Sequence, residues 1–110
     1  MINESISAVV ERNVVWTGVS ATEPYEVGWA REAVIFVRAL KGARGSLPKA
    51  RVEISPDGMR WVAEGTTFDL PGEPDAVSFA KVTNFGGWLR VSADLQDAEV
   101  TVLVTMQLKA

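Results

Sequence analysis

Hydrophobic and polar residues alternate along much of this 110-residue chain. The longest such run covers residues 100–109 (V-T-V-L-V-T-M-Q-L-K), in which only Leu103 interrupts the polar positions. A shorter run covers residues 49–55 (K-A-R-V-E-I-S). Because successive side chains of a β-strand point to opposite faces of a sheet, both segments are predicted to be strands with one buried face.

Residues 33–40 (A-V-I-F-V-R-A-L) are almost all apolar. Such a run indicates a central strand that is covered on both faces, or a strand that lies inside an oligomer. A helix is the alternative, because Ala, Leu and Arg are good helix formers, but the Val-Ile-Phe-Val core of the segment favours a strand.

The rest of the chain reads as short strands separated by turns. Turn chemistry is clearest in Ser55-Pro56-Asp57-Gly58, where Pro presets φ and Gly accepts a positive φ, and Pro71–Asp75 and Asn84–Gly87 are predicted loops. Residues 95–98 are predicted to connect the last two strands. The further strands are predicted at residues 13–19, 25–29, 60–64, 66–70, 76–82 and 87–93.

Eight or nine short strands at this spacing predict an all-β protein, an antiparallel β-sandwich of jelly-roll type. No composition shift, internal repeat or low-complexity tract divides the chain, so residues 1–110 are predicted to form a single domain. The first ten residues are the least patterned, and we expect them to form a flexible arm or an edge strand.

The chain contains neither cysteine nor histidine. Serine–histidine and cysteine–histidine catalysis are therefore excluded, as are thiolate and imidazole metal sites. The spacing of the carboxylates singles out no acid–nucleophile pair, and the acidic loop 94–99 does not match the spacing of a calcium loop. We expect a protein that is not an enzyme and that holds no cofactor or metal.

The formal net charge is −3, and the Lys and Arg residues are scattered. A nucleic-acid partner is not expected, because such a partner favours a basic stripe that neutralises phosphates. Residues 1–15 lack the features of a signal peptide, and no apolar run approaches the ~20 residues of a membrane helix. The expected location is the cytoplasm or a virion, without contact to a membrane.

Two segments carry a resemblance to known β-proteins. Residues 52–68 contain S-P-D-G-M-R-W, and residues 86–95 read G-G-W-L-R-V-S-A-D-L. The first segment resembles the S-x-D-G-x-x-W hairpin of discoidin-like carbohydrate-binding sandwiches. The second, together with the final valine-rich strand, resembles small phage and prophage structural proteins. This second resemblance covers about the last 60 residues and implies a β-sandwich fold and a structural role in a phage particle.

The same residues have a mechanical interpretation. Asp57-Gly58 forms the tight turn, and Trp61 then lies on the returning strand, where its ring can cover the end of the core. Arg90 is predicted on the face opposite Leu89 and Val91, beside Trp88, where it could stack on a tryptophan or bind a carboxylate and stiffen the sheet.

Four tryptophans are many for a chain of this length. Exposed aromatic rings can bind sugar rings, and the candidate ligand-binding residues are Trp16, Tyr25, Trp29, Trp88 and Arg90. The alternatives are that these aromatic side chains pack in the core or in an interface between subunits.

The apolar run at 33–40, together with Leu103 and the tryptophans, exceeds what one internal face can cover. We therefore expect a homo-oligomer, with a trimer as the anticipated state, that serves as a non-catalytic structural or accessory protein of a phage-like virion or shell. Its partners would be capsid, tail or shell proteins. The alternative is a carbohydrate-binding module that uses an aromatic face and binds a glycan.

Overall fold

The structure, a computed structural model, describes residues 5–110 and is built entirely from strands, turns and loops. None of these residues forms a helix that could cross a membrane. Every strand pairing is antiparallel, and the strands form one continuous sheet. The strands are β1 (Ser5–Ala21), β2 (Tyr25–Glu26), β3 (Glu32–Ala39), β4 (Lys49–Ser55), β5 (Val62–Asp69), β6 (Val77–Thr83) and β7 (Trp88–Lys109).

Strand β7 organises the sheet, because it is 22 residues long and pairs with four other strands. Its beginning, residues 88–94, pairs with β4 along one edge and with β2 and the end of β1 along the other. Its end, residues 99–109, pairs with β3 along one edge and with the beginning of β1 along the other. We call these two regions the first and the second half-sheet.

The outer strands bring the two half-sheets together. β5 pairs with β4 in the first half-sheet, and β6 pairs with β3 in the second. β5 and β6 also contact each other, so the sheet is nearly closed and barrel-like. A single bent sheet of this kind encloses one core, which an open, flat sheet could not do.

The bend in β7 lies at residues 95–98, where the pairing with β1 shifts register. Gln96 adopts a positive φ of 53°, and its N–H donates to the Asp94 carboxylate over 3.1 Å. Arg44 binds the far side of the bend, because its backbone N–H and C=O both pair with those of Glu99, and its guanidinium lies 2.9 Å from the Glu99 carboxylate. The bend is therefore held by a local hydrogen bond on one side and by long-range contacts with Arg44 on the other.

The core is formed by alternate residues of these strands, as the pattern at 100–109 predicted. In β7 the even-numbered positions from Val100 to Leu108 are buried, and in β3 the odd-numbered positions from Ala33 to Ala39 are buried. Trp16 from β1 is the largest of the fully buried side chains. The apolar run at 33–40 is thus a strand, and the helix alternative for it is wrong.

The all-β, antiparallel class is confirmed, but residues 5–110 contain seven strands instead of eight or nine, in a barrel-like sheet rather than a clear jelly-roll sandwich. The count differs because predicted neighbours merge. Residues 60–64 and 66–70 fall largely within β5, and residues 87–93 and 100–109 are both parts of β7. Part of the predicted N-terminal arm or edge strand, residues 5–10, belongs to β1, and residues 1–4 lie outside the described residues.

Candidate functional site: an apolar face of the sheet

The aromatic side chains predicted to bind a ligand do not come together on one surface. Trp16 is 1% exposed and lies in the core. Tyr25 is paired with Leu89 and packs against the core. Trp88 directly precedes Leu89 in β7 and therefore points to the opposite face. Trp29 lies in the turn after β2 and is 38% exposed. These four rings therefore form no aromatic platform for a sugar.

Arg90 is engaged by other side chains of the protein. Its Nε donates to the Glu53 carboxylate over 2.7 Å, and its guanidinium carbon lies 4.3 Å from the centre of a Trp61 ring. Arg90 thus binds a carboxylate and stacks on a tryptophan, and the tryptophan is Trp61 instead of the predicted neighbour Trp88. These contacts fix the first half-sheet across β4, β7 and the start of β5.

Glu53 is the buried centre of this group. Burial by itself raises the pKa of Glu53, but hydrogen bonds from Arg90 and Arg51 and the nearby Ser92 hydroxyl outweigh it and hold the pKa below its usual value. The Ser92 hydroxyl stabilises the charged form of Glu53, although the two groups do not form a hydrogen bond of regular geometry. Glu53 is therefore an ionised structural carboxylate, held between two arginines.

The Ser55–Gly58 turn is also a closed structural unit. The Ser55 hydroxyl oxygen accepts the N–H groups of Asp57 and Gly58, and the Asp57 carboxylate accepts the N–H groups of Met59 and Arg60. These two backbone hydrogen bonds, from Arg60 and then Met59, lower the pKa of Asp57 to about 2. The turn that carries the discoidin-like motif thus uses its polar groups to hold its own backbone.

The acidic loop at 94–99 is likewise occupied by internal contacts. Asp94 accepts the Gln96 N–H, and Glu99 binds Arg44. No group of three or more potential metal ligands occurs in the described part of the chain.

A further exposed feature is the outward surface of the second half-sheet. Its apolar side chains come from β3, β6 and the end of β7, and we call them the apolar face. Phe79 and Val77 of β6 are 54% and 55% exposed, and the others are half-buried. The apolar face consists of Val34, Phe36, Val77, Phe79 and Leu103.

The register of the strands makes this face continuous. Phe79 lies opposite Phe36, which lies opposite Thr105, which in turn lies opposite Val9 of β1. The Phe36 and Phe79 rings are 6.2 Å apart at a tilt of 40°, a favourable aromatic arrangement. Beside this row lies a shallow depression of about 300 Å³ with an apolar floor.

Charged groups surround the apolar face with both signs. In the last row of the face Arg38 lies between Val77 and Leu103, and its guanidinium binds Asp75 at 2.7 Å. At the other end Glu32, Lys81 and Lys109 border a second shallow depression, and the Lys81 ammonium lies 6.0 Å from the Phe79 ring centre. An apolar centre with a polar, mixed-charge rim is the typical anatomy of a protein–protein contact surface.

The sequence pattern predicts only part of this face. Leu103 and the run at 33–40 indicate uncovered apolar surface. Phe79 does not, because β6 has apolar residues at both odd and even positions, so its pattern does not show which side faces the core. The smaller residues of β6, Ser78 and Ala80, point inward, and Val77 and Phe79 point outward.

The fold and this surface define an all-β protein with a nearly closed antiparallel sheet and one exposed apolar face. No family model and no curated protein matches the sequence. Among solved structures, the SPBc2 prophage-derived protein YomS has a similar fold, with a TM-score of 0.67 over 100% of this chain and 96% of the other, at 12% sequence identity. The likeness is therefore one of fold, with a protein of prophage origin, as the second of the two resemblances implied.

Proposed function

We propose that this protein is a non-catalytic structural or accessory component of a phage or prophage particle and that it self-associates through the apolar face. The observation that carries the proposal is the row of outward apolar side chains on the second half-sheet. The fold shared with a prophage-derived protein supports the phage context. A location in the virion, or in the cytoplasm before assembly, is part of the proposal.

A second copy of the chain is the partner that this face fits best. Two sheets can pack face to face at about 10 Å with their side chains interdigitated. The rim groups of the face carry both signs of charge, since Arg38 is neutralised by Asp75 and Glu32 lies near Lys81. The face can therefore meet an identical face without a strong like-charge repulsion, as a symmetric interface requires.

Light scattering after size exclusion, at two protein concentrations, tests the proposal. We expect a mass of at least two chains for the unchanged protein and a lower mass for Phe79→Asp at the same concentration, because Phe79 packs on Phe36 in this face and a carboxylate at its position is costly to bury. Met59→Asp is the matched control, since Met59 is an exposed apolar residue away from this face. Circular dichroism confirms that both variants are folded.

A monomer at both concentrations would contradict self-association and with it the proposed function. An oligomer of equal mass in all three proteins would leave self-association standing but remove the apolar face from it.

A further inference from the structure

We propose that the outer edge of β1 pairs with the β1 edge of a second copy, antiparallel about a twofold axis at Arg12. This inference rests on the self-association proposed above and names the second contact that it uses. Among the described strands, β1 pairs with β7 alone. Its other edge therefore presents backbone N–H and C=O groups on which a further strand can pair.

The size of the apolar face argues that a second contact is needed. Three strands at ~4.8 Å spacing and about seven residues of ~3.4 Å each give an area of roughly 340 Å². A stable interface covers about 800 Å² on each partner. The apolar face alone supplies less than half of that, and the edge beside it is continuous with it through Val9.

The sense of the pairing follows from symmetry. Two antiparallel edge strands related by a twofold axis keep the same side of the sheet outward, and residues directly opposite each other share a face. β1 shifts register between Val9 and Glu11, between Glu11 and Val14 and between Thr17 and Val19, and its outward residues are odd-numbered on both sides of the first two shifts, because Val9 lies opposite Thr105 and Val15 lies opposite Thr101. The numbers of two paired residues must therefore add up to an even number.

The side chains then select one register. With Arg12 at the axis, Val9 faces the partner's Val15, and these are the exposed valines of β1 before its third register shift, at 44% and 53%. Moving the axis to Glu11 sets Val9 against the partner's Asn13, and moving it to Asn13 sets Val15 against the partner's Glu11, so neither of these registers pairs the two valines. The two Arg12 side chains at the chosen axis are exposed, so water and salt screen their repulsion.

Pairing in this register joins the outward surfaces of two second half-sheets. The row Phe79, Phe36, Thr105 and Val9 then continues through the partner's Val15 on the neighbouring strand. The edge and the apolar face are separate contacts, so a pair formed by edges still offers its apolar surface to a further pair. Closed assemblies with two kinds of twofold contact are common among homo-oligomers.

Single cysteine variants test the register, because the chain has no cysteine of its own. Val9→Cys and Val15→Cys, co-expressed and purified together, are expected to form a disulfide-linked dimer on a non-reducing gel. Opposed residues in adjacent strands lie about 4.5–5.5 Å apart at Cα, which suits a disulfide. Either variant alone is expected to remain uncrosslinked, since its own thiols lie ~14 Å apart, the length of the four β7 residues that pair with the stretch from Val9 to Val15.

The control replaces Val15→Cys by Val19→Cys, which is on the same strand and is exposed. We expect at least about tenfold more dimer from the Val9 and Val15 mixture than from this control, since pairing raises the effective concentration of the two thiols. Light scattering is run on the same reduced samples.

The two failures are distinguishable. An oligomer by light scattering with no excess of crosslink in the Val9 and Val15 mixture overturns the edge pairing and leaves the proposed function standing. Equal crosslinking in all mixtures also overturns the register. A monomer overturns both proposals.

Discussion

Gly58 lies flat against the ring of Trp88. A Cβ built on Gly58 would meet three ring atoms of Trp88 at 3.1–3.3 Å, and its φ of +80° belongs to the region that side chains avoid. The residue thus serves both the turn and the packing of the hairpin on the first half-sheet. Its place in the S-P-D-G motif follows from these two requirements.

We predict that Gly58→Ala destabilises the protein by about 1–3 kcal/mol in urea unfolding, through backbone strain and the clash with Trp88. Gly86→Ala provides the matched control, because Gly86 also has a positive φ but no atom near the added methyl group. Gly86→Ala should lose only the stability that the backbone strain costs, about 1 kcal/mol. Equal losses in the two variants would show that contact with Trp88 costs nothing.

The pKa of Asp57, lowered to about 2 by the backbone N–H groups of Arg60 and Met59, gives a second prediction. A carboxyl whose pKa is depressed in the folded state adds stability above its unfolded pKa, near 3.8, and loses that stability as the pH falls toward 2. We expect the unfolding free energy of Asp57→Asn to fall less steeply than that of the unchanged protein between pH 4 and pH 2. Parallel curves would contradict this role of Asp57.

At the scale of the element, neighbouring residues of β7 point to opposite faces of the sheet, one toward the core and one outward. Val104 is fully buried, and its neighbour Leu103 lies on the apolar face. The same substitution at these two positions should therefore have different effects, because only one of them faces the core.

We predict that Val104→Asp loses at least about 3 kcal/mol of stability or fails to fold, since it places an unpaired carboxyl in the core. Leu103→Asp should remain folded, within about 1 kcal/mol, and should form a smaller oligomer. Urea unfolding followed by circular dichroism measures the first effect, and light scattering measures the second. A folded Val104→Asp variant would contradict the phase of β7.

The predictability of an element depended on how clearly its two faces differ. The bounds of β4 match the predicted residues 49–55 because its polar and apolar residues alternate. β6 was located, but its inward face could not be assigned, since Ser78 points inward and Phe79 outward. Alternation alone cannot resolve such a strand, because apolar residues occur on both of its faces.

At the scale of the whole molecule, the sequence indicated the all-β class and the excess of apolar surface, but not the closure of the sheet. In the sequence, residues 95–98 look like an ordinary loop between two strands. In the structure they belong to one strand, because β1 pairs with β7 on both sides of the bend and Arg44 pairs with Glu99. Such contacts join residues that are distant in sequence, so no local pattern records them. The same holds for the candidate site, where Arg90 meets Trp61 and Glu53 across three segments.

The dominance of β7 has a consequence for synthesis of the chain. A ribosome makes β1 to β6 before β7, yet β1, β2, β3 and β4 all take hydrogen-bond partners from β7. Until residues 88–109 have emerged, β1 and β2 lack the strand they pair with, and the pairs β3–β6 and β4–β5 have no strand to join them. Their apolar faces then stay open to other chains. The nascent protein must therefore fold late, in one step and largely after translation, and its need for chaperones is greatest in the interval just before its last strand appears.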